Sequence, residues 1–292
     1  MSVFRKSIGV MARRPFVLIL PAVLILIYDL INLYNPLTAL VNLFTITNTD
    51  FFEVAVSLLK YVFEPQIFFL GMALIIGILL GISLLLSLII SGYLYVFHNS
   101  YLGKQGFRGE FWNGVSKYYY QVVVVTSTLL VSIFLLIIFV FVASVPSIVI
   151  TRSWLSGEEQ LLPAVIFVNI LSMLVLTFIV VLYRSYTALW YPSVYCTAAN
   201  WFKTALSAVN SGLYKVSWRL ALFDVVSLIL IYLNSYFKNI TQNFSNANIF
   251  MIPSLFLINW IVKTYMVIFF ISMVFCIFYN LSAKKKPTAC GI

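Results

Sequence analysis

Charge is the scarcest thing in this chain of 292 residues: Asp, Glu, Lys and Arg together make up 9% of it. A soluble domain carries about 25%, because its surface must be solvated by water. With a hydrophobic fraction of 63% and a mean hydropathy of +1.05, the medium that solvates most of this surface must be lipid. Acids are the rarer sign, 8 against 18 basic residues, and Asp50, Glu53, Glu64, Glu158 and Glu159 fall in short segments between apolar runs. That leaves little for acid–base chemistry. The single histidine, His98, reads as an interfacial residue. Cys196, Cys276 and Cys290 are scattered without CxxC or other metal spacing, which excludes a disulfide framework and a zinc site. There is no HExxH, no G-x-S-x-G and no phosphate-cradling glycine loop. The chain is therefore expected to be non-enzymatic, with no metal and no cofactor. No polar segment is long enough for a separate soluble domain, so residues 1–292 read as a single membrane domain.

Long apolar runs are what the chain does have. They predict an all-α polytopic membrane protein with six transmembrane helices, near 15–34, 67–97, 121–150, 161–192, 220–237 and 253–279, each close to or above the ~20 residues that cross the hydrocarbon. The first follows the basic opening MSVFRKSIGVMARRP, has no convincing small-residue cleavage site after it, and reads as an uncleaved signal anchor. Asp50 and Glu53 make a start signal for a short interfacial helix near 51–63. Gly71, Gly77, Gly81 and Gly92 lie along the second span, where they allow close helix approach.

The basic residues orient the bundle. Arg5, Lys6, Arg13 and Arg14, then Lys104, Arg108 and Lys117, then Arg184, Lys203, Lys215 and Arg219, and finally Lys284, Lys285 and Lys286 all fall on one side if both termini are cytoplasmic. The other side keeps Lys60, Arg152 and Lys238, and Lys263 lies inside a span. The positive-inside bias then places both ends in the cytoplasm and explains the net charge without nucleic acid. Trp154, Trp190, Trp218 and Trp260, near span ends, fit interfacial anchoring.

Amphipathic interfacial helices are expected before spans 1, 3 and 5. The strongest, at 200–219, sets Phe202, Leu206, Val209 and Leu213 on one stripe beside Ala205 and Val216, against Lys203, Ser207, Asn210 and Ser211. Phe4, Ile8 and Met11, and again Phe107, Phe111 and Tyr118, echo those offsets, so 1–98, 99–194 and 195–292 are candidate repeats. The opening FRKSIGVMARRPFVLILP and the segment WFKTALSAVNSGLYKVSWRLALF resemble uncharacterised bacterial six-span membrane proteins, which are themselves similar to the membrane domain attached to some glycerophosphodiester phosphodiesterases. Ala205, Leu206 and Gly212, with Asn210 and Ser211 near the usual Ser, match the helix that precedes the fifth span in such proteins. The resemblance implies the six-span fold in a bacterial plasma membrane and transfers no catalytic residue.

Ionisable groups at membrane depth are costly unless paired or wet, so they mark the sites. Asp29 in the first span and Lys263 in the sixth fall at similar depth and are positioned to pair. Arg184 and Asp224 form a second candidate pair, and Asn169 and Asn259 are candidates for hydrogen bonds between helices. Lys203, Lys215 and Arg219 form a candidate face for anionic lipid headgroups or for a membrane-protein partner, a second copy of the chain included. The leading expectation is an accessory, lipid-interacting or assembly component; the alternative is a small-solute or ion permease using the intramembrane polar residues.

Overall fold

Hydrocarbon cannot hydrogen-bond a peptide group, so a backbone at membrane depth closes its own N–H to C=O bonds along helices. The structure is a computed structural model that describes residues 3–34, 65–157, 159–197, 200–243 and 251–282, and every regular element among them is helical. In order they are α1 (Val3–Arg13), α2 (Phe16–Tyr34), α3 (Pro65–Tyr101), α4 (Glu110–Leu155), a 3-10 turn at Glu159–Leu161, α5 (Leu162–Thr187), α6 (Trp190–Cys196), α7 (Trp201–Asn243) and α8 (Met251–Ser282). The expected helix near 51–63, the acids Asp50, Glu53, Glu64 and Glu158, and Lys284, Lys285, Lys286 and Cys290 lie outside the described residues.

Four segments are long and apolar enough to cross a membrane: Phe69–Tyr101, Glu110–Leu155, Leu162–Cys196 and Phe256–Ser282. A fifth is added if Ser7–Arg13 and Phe16–Asp29, bent by 99° to one another, count as one. The expected fifth span, 220–237, lies within α7, whose described part is not among them. Almost none of the most apolar stretch of α4 is buried inside the protein, whereas half of that in α8 is.

The chain packs as two units, Met1–Gly114 with Ile229–Ser272 and Val115–Leu228 with Met273–Ile292. In the first, α3 packs on α1 and α2 around Val10, Val17, Tyr93, Leu94, Val96 and Phe97. A proline inside α2 explains one contact of this core. Pro21 has no N–H to offer the Val17 carbonyl one turn back. The Tyr93 hydroxyl of α3 donates to that carbonyl at 3.1 Å instead. Tyr93→Phe should therefore cost about 1–2 kcal/mol of stability by orphaning a buried acceptor. The same change made in a Pro21→Ala background should cost far less, and thermal denaturation of the four proteins in detergent checks it.

Two glycines let α3 and the first turns of α4 meet. A Cβ on Gly92 would run into the Phe111 ring, and one on Gly114 would lie 2.5 Å from the Tyr95 Cβ. Each helix thus offers a glycine to the other's aromatic side chain. Gly114→Ala should gain about 1 kcal/mol of helix propensity and lose about 2–3 kcal/mol to overpacking. A net fall in melting temperature is the expected result, and a rise would show that Tyr95 yields freely. Gly71, Gly77 and Gly81 behave differently: nothing lies within 4 Å of a Cβ built on any of them, although Gly77 and Gly81 stand at GxxxG spacing.

The three segments expected to be amphipathic helices are helical over most of their length, with bounds and packed faces of their own. α1 is a separate helix, but it turns Ser7 and Val10 inward and leaves Ile8, on the expected apolar stripe, exposed. The segment before the third span is no separate helix, because α4 runs unbroken for 46 residues from Glu110. Gly114 lies within it and serves close approach to Tyr95. In α7 the helix breaks at Gly212, whose φ of −158° and ψ of 34° are not helical, and the Leu281 side chain occupies the space beside it. The buried stripe of α7 is Ala205, Ala208, Val209, Val216 and Leu220, with Phe202 and Leu206 exposed. Two alanines share the packed face with Val209, Val216 and Leu220, and the bulkier Phe202 and Leu206 flank it. The expected outer loop from 238 is helical as far as Asn243.

In the second unit the core holds Tyr118, Val122, Val125, Leu189, Val194 and Tyr195. Tyr118 and Tyr195 pack with ring centroids 4.8 Å apart and planes tilted by 50°. Trp190, expected at an interface, is buried edge-on against Trp201 and Phe202. His98 is likewise buried, at the end of α3.

Candidate intramembrane ion-pair sites

Removing a lone charge from water costs several kcal/mol, so a carboxylate in an apolar chain needs a cation beside it. The acids whose side chains are described are Asp29, Glu110 and Asp224, and each has one: Lys263, Arg14 and Arg184.

Asp29 sits on α2 and is 6% exposed, and its Oδ1 accepts a hydrogen bond of 2.5 Å from Lys263 Nζ on α8. One turn away on α8, Trp260 donates its ring N–H to the Ala22 carbonyl at 2.7 Å, which fixes the approach of α8 to α2. The pair is asymmetric. The Lys263 side chain is 36% exposed, and the second carboxylate oxygen of Asp29 is buried without a hydrogen-bond partner among the described residues.

Arg184 on α5 pairs with Asp224 on α7, both about one-third exposed. The same two helices are joined by Ser185 and Ser217, their hydroxyls 2.8 Å apart. Asn169 bridges α5 to α4: its carbonyl oxygen accepts from Ser147, and its amide donates to the Thr151 hydroxyl at 3.2 Å. Asn259 is half-buried, with no hydrogen bond of its side chain among the described residues. Lys203, Lys215 and Arg219 are exposed and carry no ion pair among the described residues.

The most buried pair is one that counting charges by topology missed. Arg14 follows α1, Glu110 opens α4, and their side chains are 8% and 7% exposed. Arg14 also donates to the carbonyls of Val96 (3.1 Å) and Lys104 (2.9 Å). The other oxygen of Glu110 accepts from the Asn99 amide at 2.7 Å. Each charge thus has hydrogen bonds beyond its partner, which buried ions need. One signal was legible: Glu110 is the sole acid between Glu64 and Glu158, set among Lys104, Arg108 and Lys117.

The first unit also holds an open cavity of about 290 Å³. Leu20, Pro21, Leu24, Ile25 and Tyr28 of α2, Ile89, Ile90 and Tyr93 of α3, and Val267 of α8 line it. Neither Asp29 nor Lys263 is part of its wall. No protein-family model, curated protein or solved structure matches the chain.

Proposed function

We propose that the protein is a non-catalytic integral membrane component that engages lipid and assembles with other membrane proteins or with a second copy of itself. The observation that carries this reading is the pairing of the carboxylates. Asp29, Glu110 and Asp224 are each committed to a cation, which leaves no free acid among the described side chains for general acid–base work. The wall of the cavity is hydrocarbon, the lining of a lipid-facing recess and not of an aqueous path. The exposed Lys203, Lys215 and Arg219 offer a face for anionic headgroups at about 1 kcal/mol per well-placed cation. We place six spans in a bacterial plasma membrane with both termini cytoplasmic, α7 supplying the fifth, in keeping with the resemblance to six-span membrane proteins. Cysteine accessibility from either side of the membrane tests that topology.

Reconstitution into proteoliposomes tests the function. The protein should raise neither proton leak nor small-solute uptake above protein-free vesicles, and protein extracted from its native membrane should carry anionic lipid and any partner with it. The oxygen of Asp29 that has no hydrogen-bond partner among the described residues favours one other reading, a proton- or ion-coupled permease. A flux abolished by Asp29→Asn would establish the permease in place of the component proposed here.

A further inference from the structure

We infer that α1 and the loop between α3 and α4 form a shelf that binds the anionic headgroup layer of the bilayer through Arg13, Lys104 and Arg108. The inference rests on the reading above, that the chain is a lipid-engaging membrane component, and gives that engagement a second location away from α7. Three observations carry it.

The first is orientation. α1 meets α2 at 99°, so where α2 stands across the bilayer, α1 runs along its plane. The second is the latch beneath. Arg14, buried, reaches from the end of α1 to Glu110 and to the Lys104 carbonyl. Arg13 donates to the Ser100 carbonyl at 3.4 Å and lies over Gly103, against which a Cβ would stand 3.0 Å away. The shelf is thus one body, and its only acid, Glu110, is taken by Arg14. The third is what remains outside. Residues 103–109 are all exposed, Arg13 is exposed, and neither Lys104 nor Arg108 has an ion pair among the described residues. Ile8 on α1, Phe107 in the loop and Trp112 in the first turn of α4 are exposed as well, Trp112 with 64% of its surface. An in-plane helix and an adjoining loop that expose cations together with aromatic and aliphatic side chains offer the composition that settles at the headgroup and acyl boundary. The charge complement of such a surface is an anionic bilayer.

The experiment uses the full-length protein in nanodiscs of phosphatidylcholine mixed with phosphatidylglycerol, and counts retained phosphatidylglycerol by native mass spectrometry. Wild type should be enriched in phosphatidylglycerol, and the triple variant Arg13→Gln, Lys104→Gln, Arg108→Gln should lose that enrichment by roughly fivefold or more, a cation near the surface being worth about that factor. If the triple variant keeps the wild-type enrichment, whether or not Lys203→Gln, Lys215→Gln, Arg219→Gln loses it, the shelf is overturned while the lipid-engaging reading stands. No enrichment in wild type overturns both. Displacement of bound phosphatidylglycerol by soluble glycerol phosphate would assign the cations to a small anion and also overturn the proposal. A second measurement needs no charge substitution. Nitroxide lipids labelled near the headgroup should quench wild-type fluorescence more than that of Trp112→Phe; equal quenching means that Trp112 stands clear of the bilayer and sinks the idea.

Discussion

Glu110→Ala is expected to be the most damaging single substitution described here, costing about 3–5 kcal/mol, because it strands a buried guanidinium. Arg14 is almost wholly enclosed, and the Val96 and Lys104 carbonyls that remain to it carry no net charge to oppose its own. Arg14→Ala should cost a similar amount by stranding the carboxylate, although Asn99 still donates to it. Removing both charges with side chains of matching volume, as in Arg14→Met with Glu110→Leu, should recover most of the loss, since a buried pair is worth little beyond an apolar pair of the same shape. Denaturation of wild type, Arg14→Met, Glu110→Leu and the double variant in one detergent closes the cycle. A coupling near zero would mean that water reaches the pair. Because the latch holds α1 to the α3–α4 loop, Glu110→Ala should also speed amide exchange in α1 before it does so in α3.

Lys263→Met is expected to have the second largest effect, and the informative quantity is its difference from Asp29→Asn. Asp29 is 6% exposed and cannot turn to water, so losing Lys263 strands a buried carboxylate without its cation. Lys263 is 36% exposed, and a lysine stem can carry its ammonium toward a polar boundary. We therefore expect about 3 kcal/mol for Lys263→Met and about 1 kcal/mol for Asp29→Asn, with the double variant Asp29→Asn, Lys263→Met close to the latter. Equal costs would mean that the lysine is as confined as the aspartate. The proteoliposome flux assay run on the double variant separates this structural role from a transporting one, because only a transporting pair would change flux when stability is restored.

How far the sequence exposes these features depends on how rare each signal is against its background. Asp29 and Lys263 stand out because ionisable groups inside apolar runs are few, and pairing follows once the first and last spans are placed at similar depth. Arg184 with Asp224, and Asn169, are legible for the same reason. Arg14 was not, because one more arginine among several at the foot of a span is what topology alone already explains. Its partner became visible only when α1 was seen folded back against the end of α3. The direction of the α7 stripe was hidden differently. Hydropathy weights Phe202 and Leu206 above Ala205 and Ala208, but in a membrane large apolar residues gain little by leaving lipid, and helices meet where side chains are small. The length of α4 was hidden because its polar first turns read as a separate amphipathic helix before the apolar run, whereas one helix continues through both.

Pro21 and Tyr93 have a consequence for inheritance. A proline at position 21 without the tyrosine leaves the Val17 carbonyl with no donor, whereas the tyrosine without the proline costs almost nothing, because a carbonyl oxygen can accept a second hydrogen bond. A lineage can therefore cross from one pairing to the other cheaply in one order only, tyrosine first. Thereafter the proline holds the tyrosine in place, and the tyrosine can be given up cheaply only after the proline has been.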